Sequence, residues 1–176
     1  ESLGGTHSIT WTSDVGVSGD TVSIVYSTNN FSSQSLIASG VAFNASPFSW
    51  NTASVPDGTA YKIKVIDSSL LVFDGSDANF TVDNTAPTIA VHAPVTAEAT
   101  SASGAVVTYT TPTATDIVDG STAVTCSLAS GSTFAIGTAT VTCTSTDAHG
   151  NSANSTFTVT VVDTTAPVIT SHADVN

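Results

Sequence analysis

Asp83, Asp116, Asp119 and Asp147 are the side chains of this sequence with the most chemistry to offer. Asp83 ends an alternating run, and the other three fall in the turn phrases "TDIVDG" and "TDAHGN". Carboxylates gathered from turns, together with backbone carbonyls, are how calcium is held. The spacing matches no EF-hand loop, and Asp in a turn commonly accepts hydrogen bonds from its own backbone, so calcium ligand and turn acceptor both stand open as roles. The histidines His7, His92, His149 and His172 are dispersed, and His92 and His172 occupy equivalent places in a repeated phrase, which reads as a property of that phrase rather than as ligation. Neither a Ser-His-Asp grouping, a phosphate loop nor a zinc spacing can be defended. The expectation is a protein that is not an enzyme, with no catalytic residue, no required cofactor and calcium as the candidate ion.

Two other residue classes could be modified covalently. Cys126 and Cys143 are the sole cysteines and lie equidistant from the Phe134–Ala135 midpoint. A hairpin there sets them opposite each other on adjacent antiparallel strands, on the apolar face of Val124, Leu128 and Val141, where they form either a disulfide or two buried thiols. Asn30, Asn44, Asn79 and Asn154 each begin an N-x-[ST] sequon and are candidate glycosylation sites.

Fourteen acidic residues face two basic ones, Lys62 and Lys64, for a formal charge of −12 with no arginine. Phosphate neutralisation needs Lys and Arg, so nucleic acid is excluded as a partner, and an anionic membrane is disfavoured for the same reason. No apolar run is long enough for a spanning helix. Ser and Thr fill roughly a third of the chain, a composition suited to an extracellular or cell-surface location with glycans as candidate partners.

These side chains must be positioned by strands. "HSITWTS", "TVSIVYS", "AYKIKVID", "NFTVD", "AVVTYT", "AVTCSL", "TATVTCTST" and "STFTVTVVD" alternate apolar and polar residues with period two, separated by turn phrases such as "PDGT", "ASGS" and "DAHGN". The pattern predicts an all-β chain of two tandem antiparallel sandwiches. In the first, Trp11 and Trp50 feed the core, and Tyr61, Ile63 and Val65 point inward while Lys62 and Lys64 face out.

The phrase Asp83-Asn84-Thr85-Ala86-Pro87 recurs 80 residues later as Asp163-Thr164-Thr165-Ala166-Pro167. Pro fixes φ and cannot donate to a sheet, so each copy reads as a short, stiff exit from one domain. This divides the chain into residues 1–83, 84–163 and a tail, 164–176.

Residues 83–163 resemble the hyalin repeat, or HYR, domain on "EAT", "VVTYTTPTATD", "SGSTFAIGTATVTCTSTDAHGN" and "FTVTVVD". The resemblance implies an immunoglobulin-like adhesive or structural module of extracellular and cell-surface proteins. Residues 4–83 are similar to the KNH-type or fibronectin-III-like module of surface proteins on "GGTHSITWTSD", "VSIVYSTNN", "FSWNTASVPDGTAYKIKVIDS" and "SDANFTVD". Both resemblances imply immunoglobulin-like sandwiches, and modules of the second kind begin with a further strand before "GGT".

The chain thus shows one strand too few at its start and one too many at its end. The tail, with Pro167, Ile169, Ser171, Ala173 and Val175 on one face, is a candidate donor strand for the open first sandwich of another copy. Head-to-tail addition of this kind makes a homopolymer, and so the subunit of an extracellular filament, pilus-like fibre or surface layer. The alternatives are an adhesin stalk or carbohydrate-binding segment cut from a longer tandem array, or an accessory module of a secreted hydrolase.

Overall fold

The computed structural model describes residues 2–3, 5–12, 20–69 and 72–169, the first pair by backbone alone. Strands dominate throughout, and a single turn of 3₁₀ helix at Phe43–Ala45 is the one helical element among the described residues. The contacts divide the chain into two units. One comprises Glu1–Pro87 with Thr115–Thr122 and Thr146–Ser152; the other comprises Thr88–Ala114, Ala123–Ser145 and Ala153–Asn176. By contacts the first division falls after Pro87, beside the boundary expected at residues 83 and 84, and two turns of the second stretch, 115–122 and 146–152, group with the first unit. Asp116, Asp119 and Asp147 lie in those turns, and the reason for the regrouping becomes visible at the carboxylates below.

In the first unit, β1 (Ser2–Leu3), β3 (Thr21–Ser27), β4 (Ser35–Ala42), β6 (Gly58–Asp67), β7 (Phe73–Gly75) and β8 (Phe80–Val82) form one sheet in the order β1-β8-β6-β3-β4, with β7 also on β6. A second sheet pairs β2 (Thr6–Ile9) with β5 (Phe48–Asn51) antiparallel, His7 opposite Trp50. Both sheets send side chains into one core of Ile9, Val22, Ile24, Trp50, Val55, Tyr61, Phe80 and Val82. Period-two alternation does this directly, since Val22 and Ile24 on β3 and Phe80 and Val82 on β8 all turn to the same side. The stripe expected on β6 is present: Tyr61 is buried and Ile63 and Val65 pack on the core, while the Lys64 ammonium lies 4.1 Å from the ring centroids of Phe31 and Phe73. The Tyr61 hydroxyl donates to the Pro56 carbonyl at 2.6 Å, tying β6 to the turn before it.

The first sandwich does carry a strand ahead of "GGT". β1 runs parallel to β8, with Ser2 opposite Thr81 and Leu3 opposite Val82, so the edge expected to be bare is covered over two residues.

In the second unit, β10 (Val95–Glu98), β14 (Val124–Cys126), β16 (Gly137–Thr146) and β17 (Ser152–Val162) form a sheet in the order β10-β17-β16-β14, and β11 (Ala105–Val107) pairs with β15 (Ser132–Phe134) in another. Between them lies a core of Ala105, Val107, Phe134, Val141, Cys143, Phe157, Val159 and Val161. Here β10 is parallel to β17 over four residues, twice the length of β1 on β8. Three further short strands, β9 (Thr88–Ile89), β12 (Ala114–Asp116) and β13 (Gly120–Thr122), complete the chain.

Cys126 and Cys143 face each other across β14 and β16 and are joined as a disulfide. The segment between them is more than a hairpin loop, since it contains β15, which leaves to pair with β11.

Candidate functional site

Three segments of the first unit bring acids together. Asp83 follows β8, Asp119 sits between β12 and β13, and Asp147 follows β16. One oxygen from each, with a ring nitrogen of His149, form a group whose atoms all lie within 4.8 Å of one another. Asp83 and Asp147 serve their own turns, and Asp119 links two. Asp83 Oδ1 accepts from the Thr85 N–H at 3.2 Å, and Asp147 Oδ1 accepts from the N–H groups of His149 and Asn151, both at 2.8 Å. Asp119 Oδ2 accepts from the Ala148 N–H at 2.8 Å, which joins the "TDIVDG" turn to the "DAHGN" turn. Asn151 completes the link by donating through Nδ2 to the Asp83 carbonyl at 3.3 Å and to Asp147 Oδ2 at 2.9 Å. These bonds explain why both turns group with the unit that Asp83 ends.

Asp83 is fully buried, and its Oδ2 makes no hydrogen bond. His149 Nδ1 approaches it to 2.8 Å but lies 3.0 Å from Asp119 Oδ2 as well, with hydrogen-bonding geometry only toward Asp119. A single N–H cannot serve both. Asp116 is the fourth acid expected here, and its oxygens are not among the converging atoms. Its Oδ1 caps the turn by accepting from Val118 and Asp119, and its buried Oδ2 is without a hydrogen bond. Burial pushes the Asp83 carboxyl above the usual carboxylate range, and the charges of Asp116 and Asp147 add to this against the opposing Thr85 N–H and His149. Burial works against ionised Asp147 too, but the hydrogen bonds from Asn151, His149 and Gly150 outweigh it and hold that carboxyl below its usual range.

His149 is the member that reading the sequence missed. Among four scattered histidines nothing in the spacing singles it out, although the phrase "DAHGN" places it two residues from Asp147 on the same tight turn. Of the others, His92 stacks on Phe157 at 4.1 Å between ring centroids, a packing role, and His172 lies outside the described residues. Asn30, Asn44, Asn79 and Asn154 are all exposed. Of the donor-strand residues, Pro167 and Ile169 are exposed, and Ser171, Ala173 and Val175 lie outside the described residues.

The two copies of the repeated phrase are held alike. Asp163 Oδ1 accepts from the Thr165 N–H at 3.2 Å, as Asp83 does from Thr85. A carboxylate from the preceding module clamps each from outside. Asp57 accepts from the Asn84 N–H at 2.7 Å and from the Thr85 hydroxyl, while Glu98 accepts from the N–H of Thr164 at 2.6 Å and its hydroxyl at 2.9 Å. Glu98 is the acid of "EAT", carried to the end of β17 because β10 and β17 run parallel with Glu98 opposite Val162.

The Thr164 N–H and hydroxyl hold the Glu98 carboxyl below its usual range. A carboxyl whose pKa falls on folding stabilises above its unfolded value, 4.5 for Glu98, and loses that contribution as pH drops through the lower folded value. The Thr164 amide resonance, followed by NMR as the pH is lowered, should therefore titrate with a midpoint below 4.5. A midpoint at or above that value would show that the clamp does not form.

Residues 82–161 match the family model of the HYR domain. No curated protein matches the chain. Fibronectin(III)-like modules of Clostridium thermocellum CbhA align over 97% of this chain and 93% of their own, at 15% identity and a TM-score of 0.34, a likeness too remote to inform on role. HYR domains are non-catalytic structural or adhesion modules that occur in extracellular or cell-surface proteins. Among the described residues no helix is long and apolar enough to cross a membrane. Residues 82–161 of this chain are thus similar to the HYR domain, a likeness that suggests an extracellular surface or adhesion-type module.

Proposed function

We propose that the chain is a structural subunit of an extracellular filament, pilus-like fibre or surface layer, joined to further copies head to tail by strand addition. The observation that carries this reading is an open flank of the first core. A groove of about 610 Å³ enters there, lined by residues of both sheets, among them Ile9, Trp11, Trp50, Ile63, Val65 and Phe80. Of its apolar walls, Trp11, Ile63 and Val65 are half-buried while Ile9, Trp50 and Phe80 are already buried, and β-branched side chains from another strand would cover the first three.

The donor is the segment that follows the second connector. In the first copy of the repeated phrase the residues after Pro87 enter β9; in the second, Val168 and Ile169 stand 89% and 92% exposed, in no strand among the described residues. A strand over 166–175 presents Ile169 and Val175 to one face and turns Val168 outward. Each side chain buried contributes about 1.5 to 3 kcal/mol, and the main-chain hydrogen bonds of an added strand supplement this against the cost of association. The contact is heterologous, so it propagates into open filaments or closes into rings. Glycans on the four exposed sequons are compatible with such a surface, which keeps them clear of both cores.

Negative-stain microscopy of the full chain beside a version ending at Asp163 tests the reading. Filaments or rings from the full chain and monomers from the shorter one are expected. A synthetic peptide of residues 164–176 added to the shorter chain should shift the fluorescence of Trp11 and Trp50. Monomers from both chains, with a folded first unit and no response to the peptide, overturn strand addition. The adhesin-stalk or carbohydrate-binding reading draws on the same groove, where Trp11 lies with Asp74 and Asp77. Glycan binding abolished by Trp11→Ala, with monomers from both lengths, would favour it.

A further inference from the structure

We propose that the carboxylates of Asp83, Asp119 and Asp147 form a divalent-cation site of the calcium class, with Asp116 beside them. An acidic cluster alone would not carry this, since all four acids also hold turns. The independent observation is the state of two buried oxygens. Asp83 is fully buried and its Oδ2 has no hydrogen bond, although His149 Nδ1 lies 2.8 Å from it; the Oδ2 of Asp116, itself about nine-tenths buried, has none either. Buried polar atoms are nearly always hydrogen-bonded, and an unsatisfied carboxylate oxygen costs more than a neutral one. The one within the cluster, on Asp83, calls for a ligand that offers positive charge rather than another acceptor.

The chain cannot supply that charge from basic side chains. Its two lysines are both on β6, Lys64 is over the rings of Phe31 and Phe73, and arginine is absent. His149 is the one group in the cluster able to carry positive charge, and a single imidazolium against four acids leaves an excess of negative charge in a desolvated place. A divalent ion removes more of that excess and meets several oxygens at once.

Two ligands on opposite sides of calcium, each about 2.3 to 2.6 Å from it, are about 4.6 to 5.2 Å apart, whereas the shorter bonds of magnesium, about 2.0 to 2.1 Å, draw opposite ligands to about 4.0 to 4.2 Å. The converging atoms all lie within 4.8 Å of one another, a span that admits calcium. The donor set agrees, being mainly carboxylate oxygen with one imidazole nitrogen, where zinc prefers nitrogen and sulfur. The site joins the exit of β8 to the turns 115–122 and 146–152, so the ion would fasten all three segments of the first unit.

The test is calorimetric titration of the chelator-treated full chain with calcium, and separately with magnesium and zinc, alongside thermal melts. Calcium is expected to bind with a dissociation constant of about 10⁻⁴ to 10⁻³ M, the range of extracellular modules, and to raise the melting midpoint with concentration as mass action requires. Asp119→Asn and Asp83→Asn keep a carbonyl oxygen for the Ala148 and Thr85 N–H groups but remove charge, and each should weaken calcium at least tenfold. Amide NMR spectra of the variants establish that they are folded. If either fails to fold, calcium-dependent shifts of the Ala148, His149 and Asn151 amides in the unaltered chain decide the matter. Absence of calcium heat and of those shifts overturns the site, as does calcium binding unchanged in both folded variants. Zinc binding with calcium silent overturns the assignment to calcium.

Discussion

Gly104→Ala should unfold the HYR-like core or leave it marginal, a loss of about 3 to 6 kcal/mol from backbone strain and overpacking together. Gly104 closes the turn that feeds β11, with φ at +105°, and a Cβ there would stand 1.9 Å from the Phe134 carbonyl oxygen and 2.9 Å from the Ala135 Cα. Both obstacles are backbone, so no rotamer change relieves them. β11 would have to move away from β15, and the pair brings Ala105 opposite Phe134, two members of the core. Gly131→Ala is the matched comparison. Its φ is +89° but nothing lies within 4 Å of the added Cβ, so only the strain, about 1 to 2 kcal/mol, is expected. Urea denaturation followed by NMR of second-unit resonances separates the two. Equal losses would show that the close approach of Gly104 to Phe134 is absent.

Removing the disulfide should have the next largest effect. Cys126 and Cys143 enclose a loop with a sequence separation of 17 residues, and opening it restores about 3 kcal/mol of chain entropy to the unfolded state in the loop-closure model. Cys126→Ala with Cys143→Ala is preferable to serine because Cys143 is fully buried beside Val141 and Val159, where a hydroxyl would lack a partner. For a domain of this size the loss corresponds to a melting point lower by roughly 12 to 24 °C. Intact-mass measurement with and without reductant, after alkylation of the native protein, checks the bond itself, and calorimetry checks the effect. Free alkylation of both thiols, or a double variant melting within a few degrees of the parent, would remove the disulfide from the account of stability.

The two perturbations act on different sheets around the same core. Gly104→Ala displaces the small β11–β15 sheet, while the cysteine pair ties β14 to β16 in the larger one. Neither substitution lies among the carboxylates, but Asp147 is on the turn that joins β16 to β17, so unfolding of the second core should abolish cation binding as well.

The long strands were legible because period-two alternation over seven or more residues has one reading when one face is buried. β3, β6, β16 and β17 follow it, and so does the cross-strand placement of the cysteines. The two- to four-residue strands β9, β10, β12, β13 and β15 are too short to show a period, and pairing partners far along the chain define them. β15 shows the consequence: "STFAIG" reads as the tip of a hairpin, but Ser132–Phe134 leaves to pair with β11.

For the candidate site the division is sharper. The sequence by itself determined that the chain is β-structured, acidic with almost no counter-charge, and punctuated by Asp-rich turns, because side-chain alternation, formal charge and Asx turns are all local properties. Only the tertiary structure decided that Asp83, Asp119 and Asp147 meet around His149 while Asp116 does not join the converging atoms. It also decided that the acid of "EAT" clamps the second connector, since the parallel pairing of β10 with β17 carries Glu98 beside Thr164. Such convergences depend on strand register between segments as far apart as residues 83 and 147 or 98 and 164, and no spacing within either segment encodes that register.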